Sequence, residues 1–206
     1  MITEEFTIMI AEELLELYDA KRKKFQKGEL IFEEGNEPHH YYQIITGEVK
    51  MCNFNDVGRE FIQGFFQDGQ NFGEPPLFLN RAYPANAIAV TDCEIMIVPK
   101  NSFLELLKNN NQVSLTIIEY LAQRLHYKSV MAAEISSQEP EHRLLKLIDY
   151  SIKFFKVQKG NDGFPIDLTR QQMADLTGLR VETVIRAIKS LEKKKELKII
   201  KRKVFR

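Results

Sequence analysis

Three residues at fixed spacing, Ala174, Gly178 and Val184, constrain this chain more than any other feature. They lie in the segment Leu168–Leu191, where Thr169 and Gln172 form the pattern of a capping box and so start a helix. Gly178 ends that helix, because a residue without a Cβ supplies the left-handed backbone of a sharp turn. A second helix is expected from Val181 to Lys194. A small residue at 174 lets the two helices cross closely, and Val184 plugs the angle between them. Met173, Leu176, Ile188 and Leu191 supply the remaining core. Two short helices joined by a three-residue turn of this kind are the signature of a helix-turn-helix.

Periodicity separates the faces of the second helix. Val184, Ile188 and Leu191 point inward, whereas Glu182, Arg186, Lys189 and Lys193 follow one another on another face. A solvated charge stripe on an ordinary helical hairpin is the plain alternative. The charge distribution argues for a polyanion instead. The chain has 206 residues with 29 Lys+Arg and 29 Asp+Glu, but this zero is a cancellation. Residues 1–140 hold 12 basic and 21 acidic side chains, a net of −9, and residues 141–206 hold 17 and 8, a net of +9. Such asymmetry is a sign of a polyanion-binding module joined to something else. On the second helix Arg186 can pair with guanine and Glu182 can accept from cytosine, while Val181 can touch only a thymine methyl. Arg180 and Thr183 lie beside them, and a family resemblance carried by this segment and by Asn71–Asn86 implies that they complete the base-reading set. Lys189 and Lys193, with Thr169, Arg170 and Gln171 at the start of the first helix, are expected at phosphates. Downstream, Lys198–Arg206 reads as a small two-stranded wing with Lys201, Arg202 and Lys203 near its tip, a further set of phosphate contacts.

The acidic part has another rhythm. From Lys21 to Pro99 short apolar runs such as Glu29–Phe32, Tyr41–Thr46, Glu48–Phe54, Glu60–Phe66 and Glu94–Val98 are bounded by Gly28, Gly35, Gly47, Gly58, Gly69 and Gly73. Regular turn signals between short strands predict an antiparallel sandwich or barrel. A helical run precedes it at Glu12–Tyr18. After it Ser102 is expected to cap a short helix, Phe103–Lys108. A longer helix is expected over about 112–135. Ile118, Leu121, Leu125, Lys128, Ala132 and Ile135 recur along it with period 3.5, the pattern of a coiled-coil seam interrupted at Lys128. Packing on its own domain is the other reading of that helix. Ser136 and Ser137 read as a hinge, with Ser137 capping a helix that has Pro140 in its first turn and Leu144, Ile148, Ile152 and Phe155 as its apolar stripe.

Composition excludes several classes. With 44% hydrophobic and 28% charged residues the chain is globular rather than disordered. No apolar stretch approaches the roughly 20 residues of a membrane span, and no basic leader precedes Glu4 and Glu5, so a cytoplasmic location is expected. Cys52 and Cys93 form neither a disulfide framework nor a metal site and read as small strand residues. The four histidines, 39, 40, 126 and 142, show no nucleophile–base or metal-ligand spacing, and His39-His40 read as exposed turn residues. The chain is therefore not expected to be an enzyme.

The segment Asn71–Asn86 breaks the strand rhythm with Pro75, Pro76 and Pro84 after Gly73-Glu74. With this segment and the helix-turn-helix, the chain resembles the Crp/Fnr regulators over nearly its whole length. The resemblance implies an α+β fold: an antiparallel β jelly roll like that of cyclic-nucleotide-binding domains over 1–110, a dimerisation helix over 111–136, and a winged helix-turn-helix over 137–206. It also implies that Asn71–Asn86 is a phosphate-binding cassette, in which Gly-Glu meets a ribose and an Arg-Ser pair holds a cyclic phosphate. Gly73, Glu74, Pro75, Arg81, Pro84 and Ala85 are then the pocket candidates. The Arg-Ser positions fall on Pro84 and Ala85, which offer neither guanidinium nor hydroxyl. Cyclic AMP is accordingly not the expected ligand, and no cofactor is assigned. The implied partners are double-stranded DNA, a second copy of the chain, RNA polymerase and an unidentified small-molecule effector, or none. The function expected is transcription regulation at a palindromic site. The alternative is a cyclic-nucleotide-binding adaptor that never touches DNA.

Overall fold

The computed structural model describes residues 9–58, 60–137, 139–154 and 157–206. The chain divides into two compact units, Met1–Leu121 and Ala122–Arg206.

The first unit is built on eight strands in two four-stranded antiparallel sheets. One runs β1 (Lys21–Phe25), β8 (Cys93–Pro99), β3 (His40–Thr46), β6 (Asn71–Phe72). The other runs β2 (Leu30–Phe32), β7 (Asn86–Ala89), β4 (Val49–Phe54), β5 (Glu60–Phe66). This is the expected jelly roll. The inter-sheet core takes Tyr42 and Ile44 from β3 and Ile95 from β8, along with Phe25, Phe32, Phe66, Phe72 and Tyr83. Alternate residues of the same strands, Tyr41, Met96 and Val98, point to the other side. There they pack under α1 (Glu12–Glu16), α2 (Pro75–Leu79), α3 (Lys100–Asn109) and the first turns of α4 (Asn111–Ser137), through Leu15, Leu77, Phe103, Leu106 and Ile117. A sheet covered on both faces explains the unbroken apolar run Ile95–Val98. Its outer face also carries one polar anchor. The side chain of Gln43, 1% exposed, accepts from Ile10 N at 3.0 Å and donates to Ile10 O at 2.8 Å.

Several local expectations change. Lys21–Phe25 is a strand despite four exposed cations, because β1 is a sheet edge, where lysine blocks further pairing. Pro75 and Pro76 open a one-turn helix, in the positions where a missing N–H costs nothing. Helix α3 begins at Lys100 and Ser102 does not cap it. The Ser102 hydroxyl instead donates to Asp19 Oδ2 at 2.8 Å. Helix α4 runs through Ser136 and Ser137, so the backbone there is helical, and the expected capping side chain of Ser137 lies outside the described residues.

The second unit holds the end of α4, α5 (Pro140–Phe154), β9 (Pro165–Ile166), α6 (Arg170–Thr177), α7 (Val181–Lys193), β10 (Lys198–Ile200) and β11 (Lys203–Phe205). The stripe of α5 is Leu144, Leu147 and Ile148, with Ile152 partly buried, and Phe155 lies outside the described residues. The capping box forms as expected: Gln172 N donates to Thr169 Oγ1 at 3.1 Å, and Thr169 N to Gln172 Oε1 at 2.8 Å. Gly178 takes φ +67° with no atom within 4 Å of where a Cβ would stand, so backbone conformation alone requires glycine there. Met173, Ala174, Val184, Ile188 and Leu191 share one core. The wing has three strands rather than two, ordered β10-β11-β9, because Ile166 pairs with Val204.

Two substitutions test these local assignments by urea unfolding of the full chain. Gln43→Leu strands the buried N–H and C=O of Ile10 and should cost about 2 kcal/mol. Thr169→Ala removes the cap of α6 and should cost about 1 kcal/mol.

Candidate DNA interface and cassette pocket

Helix α7 is sharply two-sided. Val184, Ala187, Ile188 and Leu191 are buried, while Glu182, Arg186, Lys189 and Lys193 are exposed as expected. Val181 and Thr183 are half-buried on the first turn, and exposed Arg180 is the N-cap residue. Ile185, 39% exposed, was not singled out from the sequence. Its position three residues after Glu182 and four before Lys189 places it on the charged face, and that spacing was the available signal. The guanidinium of Arg186 reaches the Thr183 hydroxyl only at 3.5 Å, too long to hold it firmly.

The cations of this unit fall into two groups. Lys194 donates to Glu141 at 2.6 Å, and its ammonium holds the Glu141 carboxyl below the usual range, with the Ser190 hydroxyl adding to the effect. Arg206 joins Asp149 at 2.8 Å and Glu196 at 2.6 Å, and buried Arg143 donates to Thr177 O at 3.0 Å. These three serve the fold. By contrast Arg180, Arg186, Lys189, Lys193, Lys201, Arg202 and Lys203 are exposed, with no ion pair among the described residues. At the start of α6, Thr169 is used by its cap and Gln171 donates to Asp175 at 2.8 Å, leaving Arg170 as the charged group there.

The wing hairpin turns on two residues. Ile200 pairs with Lys203, and Lys201 and Arg202 between them take φ +47° and +69°. This pattern is a type I′ turn, which normally selects Asn-Gly.

On α4 the exposed face differs from the expected seam. Leu115, Ile118 and Leu125 are exposed, and so are Ala122, Ser129 and Ala132, which keep the alternating spacing of three and four. Leu121 packs inward beside Ile117, and Lys128 lies one residue off this stripe. The Lys128 ammonium is held below its ordinary value by desolvation and by Arg124. The side chain of Ile135 lies outside the described residues.

The six cassette candidates differ in exposure. Glu74 and Ala85 are fully buried, Ala85 within the inter-sheet core, while Arg81 and Pro84 are exposed and Pro75 is half-buried. Gly73 has φ +73°, and a Cβ there would come within 2.8 Å of the Phe32 ring. Phe32 in turn stacks on Tyr83 at 3.8 Å. Burial pushes the Tyr41 and Tyr83 hydroxyls up, and the Glu74 charge adds to both shifts. A cavity of about 460 Å³ instead opens beside this aromatic pair, lined by Ile31, Phe32, Asn36, Glu37, His39, His40, Tyr42 and Tyr83. His39 is exposed, but His40 starts β3, is half-buried, and is held below its ordinary pKa by desolvation and by His39. Cys52 and Cys93 are buried strand residues, and burial lifts the Cys52 thiol to about 12.

Known proteins match both halves in the same order. Residues 22–110 match the cyclic nucleotide-binding domain and residues 142–205 the Crp-like helix-turn-helix domain. The chain is 26% identical over 170 residues to the cAMP-activated global transcriptional regulator CRP of Haemophilus influenzae, covering 82% of this chain and 76% of that protein. It is 26% identical over 186 residues to the global nitrogen regulator of a Nostoc species, covering 87% and 82%. Among solved structures, the c-di-GMP responsive regulator CLP of Xanthomonas campestris superposes with a TM-score of 0.75 at 20% identity, covering 95% of this chain and 98% of that one. A CooA mutant from Carboxydothermus hydrogenoformans gives 0.79 at 14% identity, covering 99% and 92%. No helix among the described residues is long and apolar enough to cross a membrane. With a jelly roll, a long helix and a winged helix-turn-helix in this order, the chain belongs to the Crp/Fnr family of DNA-binding transcription regulators.

Proposed function

We propose that the chain acts as a homodimer that reads a two-fold-symmetric DNA site with two copies of α7, under a signal other than a cyclic nucleotide. The observation that carries this reading is the division of α7: one face closes the core, and the other offers Glu182, Ile185, Arg186 and Lys189 with no ion pair among the described residues to withdraw them. Arg186 suits guanine and Glu182 suits cytosine, while Ile185 and Val181 suit thymine methyls. Lys193, Lys201 and Lys203 suit phosphates, setting affinity and register rather than sequence.

The dimer reading is supported by the exposed apolar positions Leu115, Ile118 and Leu125, since large apolar side chains repeated on one helix face favour a partner helix. Two copies of α7 would then enter successive major grooves about 34 Å apart. For the signal, a buried cyclic phosphate needs a charged or hydroxyl partner. The two positions that would supply it hold exposed Pro84 and core Ala85, and Arg81 points its charge to solvent.

Three measurements test the proposal. In anisotropy titrations on a palindrome selected from random duplexes, Arg186→Ala should lose about 10- to 100-fold in affinity and relax its base preference. Wild-type affinity in that variant would sink the base-reading assignment. Lys193→Ala should weaken all duplexes alike and lower the salt slope by about 1. Leu125→Glu should convert dimer to monomer in sedimentation, and a variant that stays dimeric would remove α4 from the interface. Titration calorimetry with cyclic AMP and cyclic GMP should show no binding up to about 1 mM, a ligand concentration at which even weak sites fill.

A further inference from the structure

The tip of the wing carries an unfavourable backbone that its sequence does not relieve. Lys201 and Arg202 both lie at positive φ, +47° and +69°. Glycine and asparagine adopt this region at little cost, and a two-residue type I′ turn favours them for that reason. Here two cations occupy both positions, and both are exposed. Lys195 repeats the choice at the end of α7. It holds φ +61° in a Schellman-type cap, where Glu196 N donates to Leu191 O at 2.9 Å and Lys195 N to Glu192 O at 3.0 Å. Strain kept at exposed side chains with no ion pair among the described residues points to a use outside the fold.

The hairpin is also held rigidly. Val204 is fully buried, and Ile199 and Ile166 pack in the same core. Arg206 bonds back to the Phe164 backbone at 2.9 and 3.0 Å and clamps Asp149 and Glu196 with its guanidinium. Ile199 N donates to Glu192 Oε1 at 3.2 Å, tying β10 to α7. The base of the hairpin is therefore tied to α7 through Glu192 and to α5 through Asp149.

Dimensions decide which groove a tip of this kind can enter. Two paired strands are about 4.8 Å apart before side chains are counted, and the minor groove is only about 6 Å wide. The hairpin backbone stays outside, but one extended side chain fits. Of the two tip residues, Arg202 has the planar, weakly hydrated guanidinium that a narrow minor groove attracts, whereas the compact ammonium of Lys201 keeps its water and suits a phosphate. We infer that Arg202 inserts into the minor groove flanking each half-site and reads its width, so the chain prefers A·T-rich flanks that no other residue touches. This rests on the DNA-reading function proposed above and replaces a plain phosphate role for Arg202.

The test keeps the selected half-sites constant and changes the flanking base pairs among an A-tract, a mixed sequence and a G·C run. Anisotropy is read for wild type, Arg202→Lys and Arg202→Ala in the full-length chain, with circular dichroism to confirm folding. Wild type should prefer the A-tract flank by about 5- to 10-fold. Arg202→Ala should reduce that ratio below about 2-fold, and Arg202→Lys should lose most of it while keeping the salt slope. Uniform weakening of Arg202→Ala on all flanks would show a phosphate contact and overturn the inference. So would a wild type indifferent to the flank. A wild type that binds no selected duplex would instead overturn the DNA-reading proposal, and this inference with it. A variant that loses folding is replaced by Lys201→Asn/Arg202→Gly, which fits the turn better and should lose the flank preference in the same way.

Discussion

A sheet buried on both faces organises the first unit. Strands β3 and β8 send Tyr42, Ile44 and Ile95 into the roll, and Tyr41, Met96 and Val98 into a second core under the helices. The period of two along a strand makes this an all-or-none arrangement, since a one-residue slip would exchange the two sets. Tyr41 stacks on Phe103 at 4.2 Å and thereby fastens α3 to the sheet. Ile117 and Leu121 fasten the first turns of α4 to the same surface. With one side of α4 committed to this core, the opposite side, carrying Leu115 and Ile118, is left for another surface. Exposure on the long helix is thus a consequence of how the second core is filled.

Charge in the second unit obeys a comparable division. The pairs made by Lys194 and Arg206 lie at the surface, where solvent screens them, so they add little to stability beside the hydrophobic core. Their effect is positional: Lys194 joins α7 to α5 through Glu141, and Arg206 joins the wing to α5 through Asp149. Among the cations left over are those on the outer face of α7 and at the wing tip. They remain hydrated in the free protein and lose that hydration only against a polyanion. Part of the +9 of residues 141–206 therefore lies where it can meet phosphate, while Glu141, Asp149 and Glu196 serve the frame.

What could be read from the sequence was local. Thr169, Gln172 and Gly178 act on their own neighbours, so the crossing of α6 and α7 follows from a dozen residues. The phase of α4 could not be read in the same way. Period 3.5 was visible, but Leu121 is more apolar than Ala122 and attracted the seam, although Leu121 packs inward and Ala122 is exposed. A helix with apolar residues on two faces gives one period and two phases, and only the neighbouring sheet decides between them. Ser102 misled for a similar reason, because its partner Asp19 lies 83 residues away. Strand β9 is two residues long and is defined entirely by pairing with Val204 and Phe205, which no periodicity can reveal. The cassette was legible as a break in the strand rhythm, but its filling was not. The packing of Phe32 on Gly73 joins a residue of β2 to one about forty positions on.

That packing bears on the proposal that the cassette takes no nucleotide. Two separate costs oppose it. The first is steric, since Phe32 stands within 2.8 Å and Tyr83 within 3.5 Å of the position a Cβ on Gly73 would occupy, the two rings being stacked on each other. Opening this stack would uncover two buried aromatic side chains, worth several kcal/mol together. The second is electrostatic, since an anion drawn into the roll would have no guanidinium at 84 and no hydroxyl at 85 to replace its water. A ligand shifts a conformational equilibrium only by its differential affinity for the two states. On this reading a nucleotide would have to open the aromatic stack without a guanidinium at 84 or a hydroxyl at 85 to compensate. On the proposed reading, the Phe32–Tyr83 stack beside Gly73 belongs to the hydrophobic core rather than to a nucleotide site.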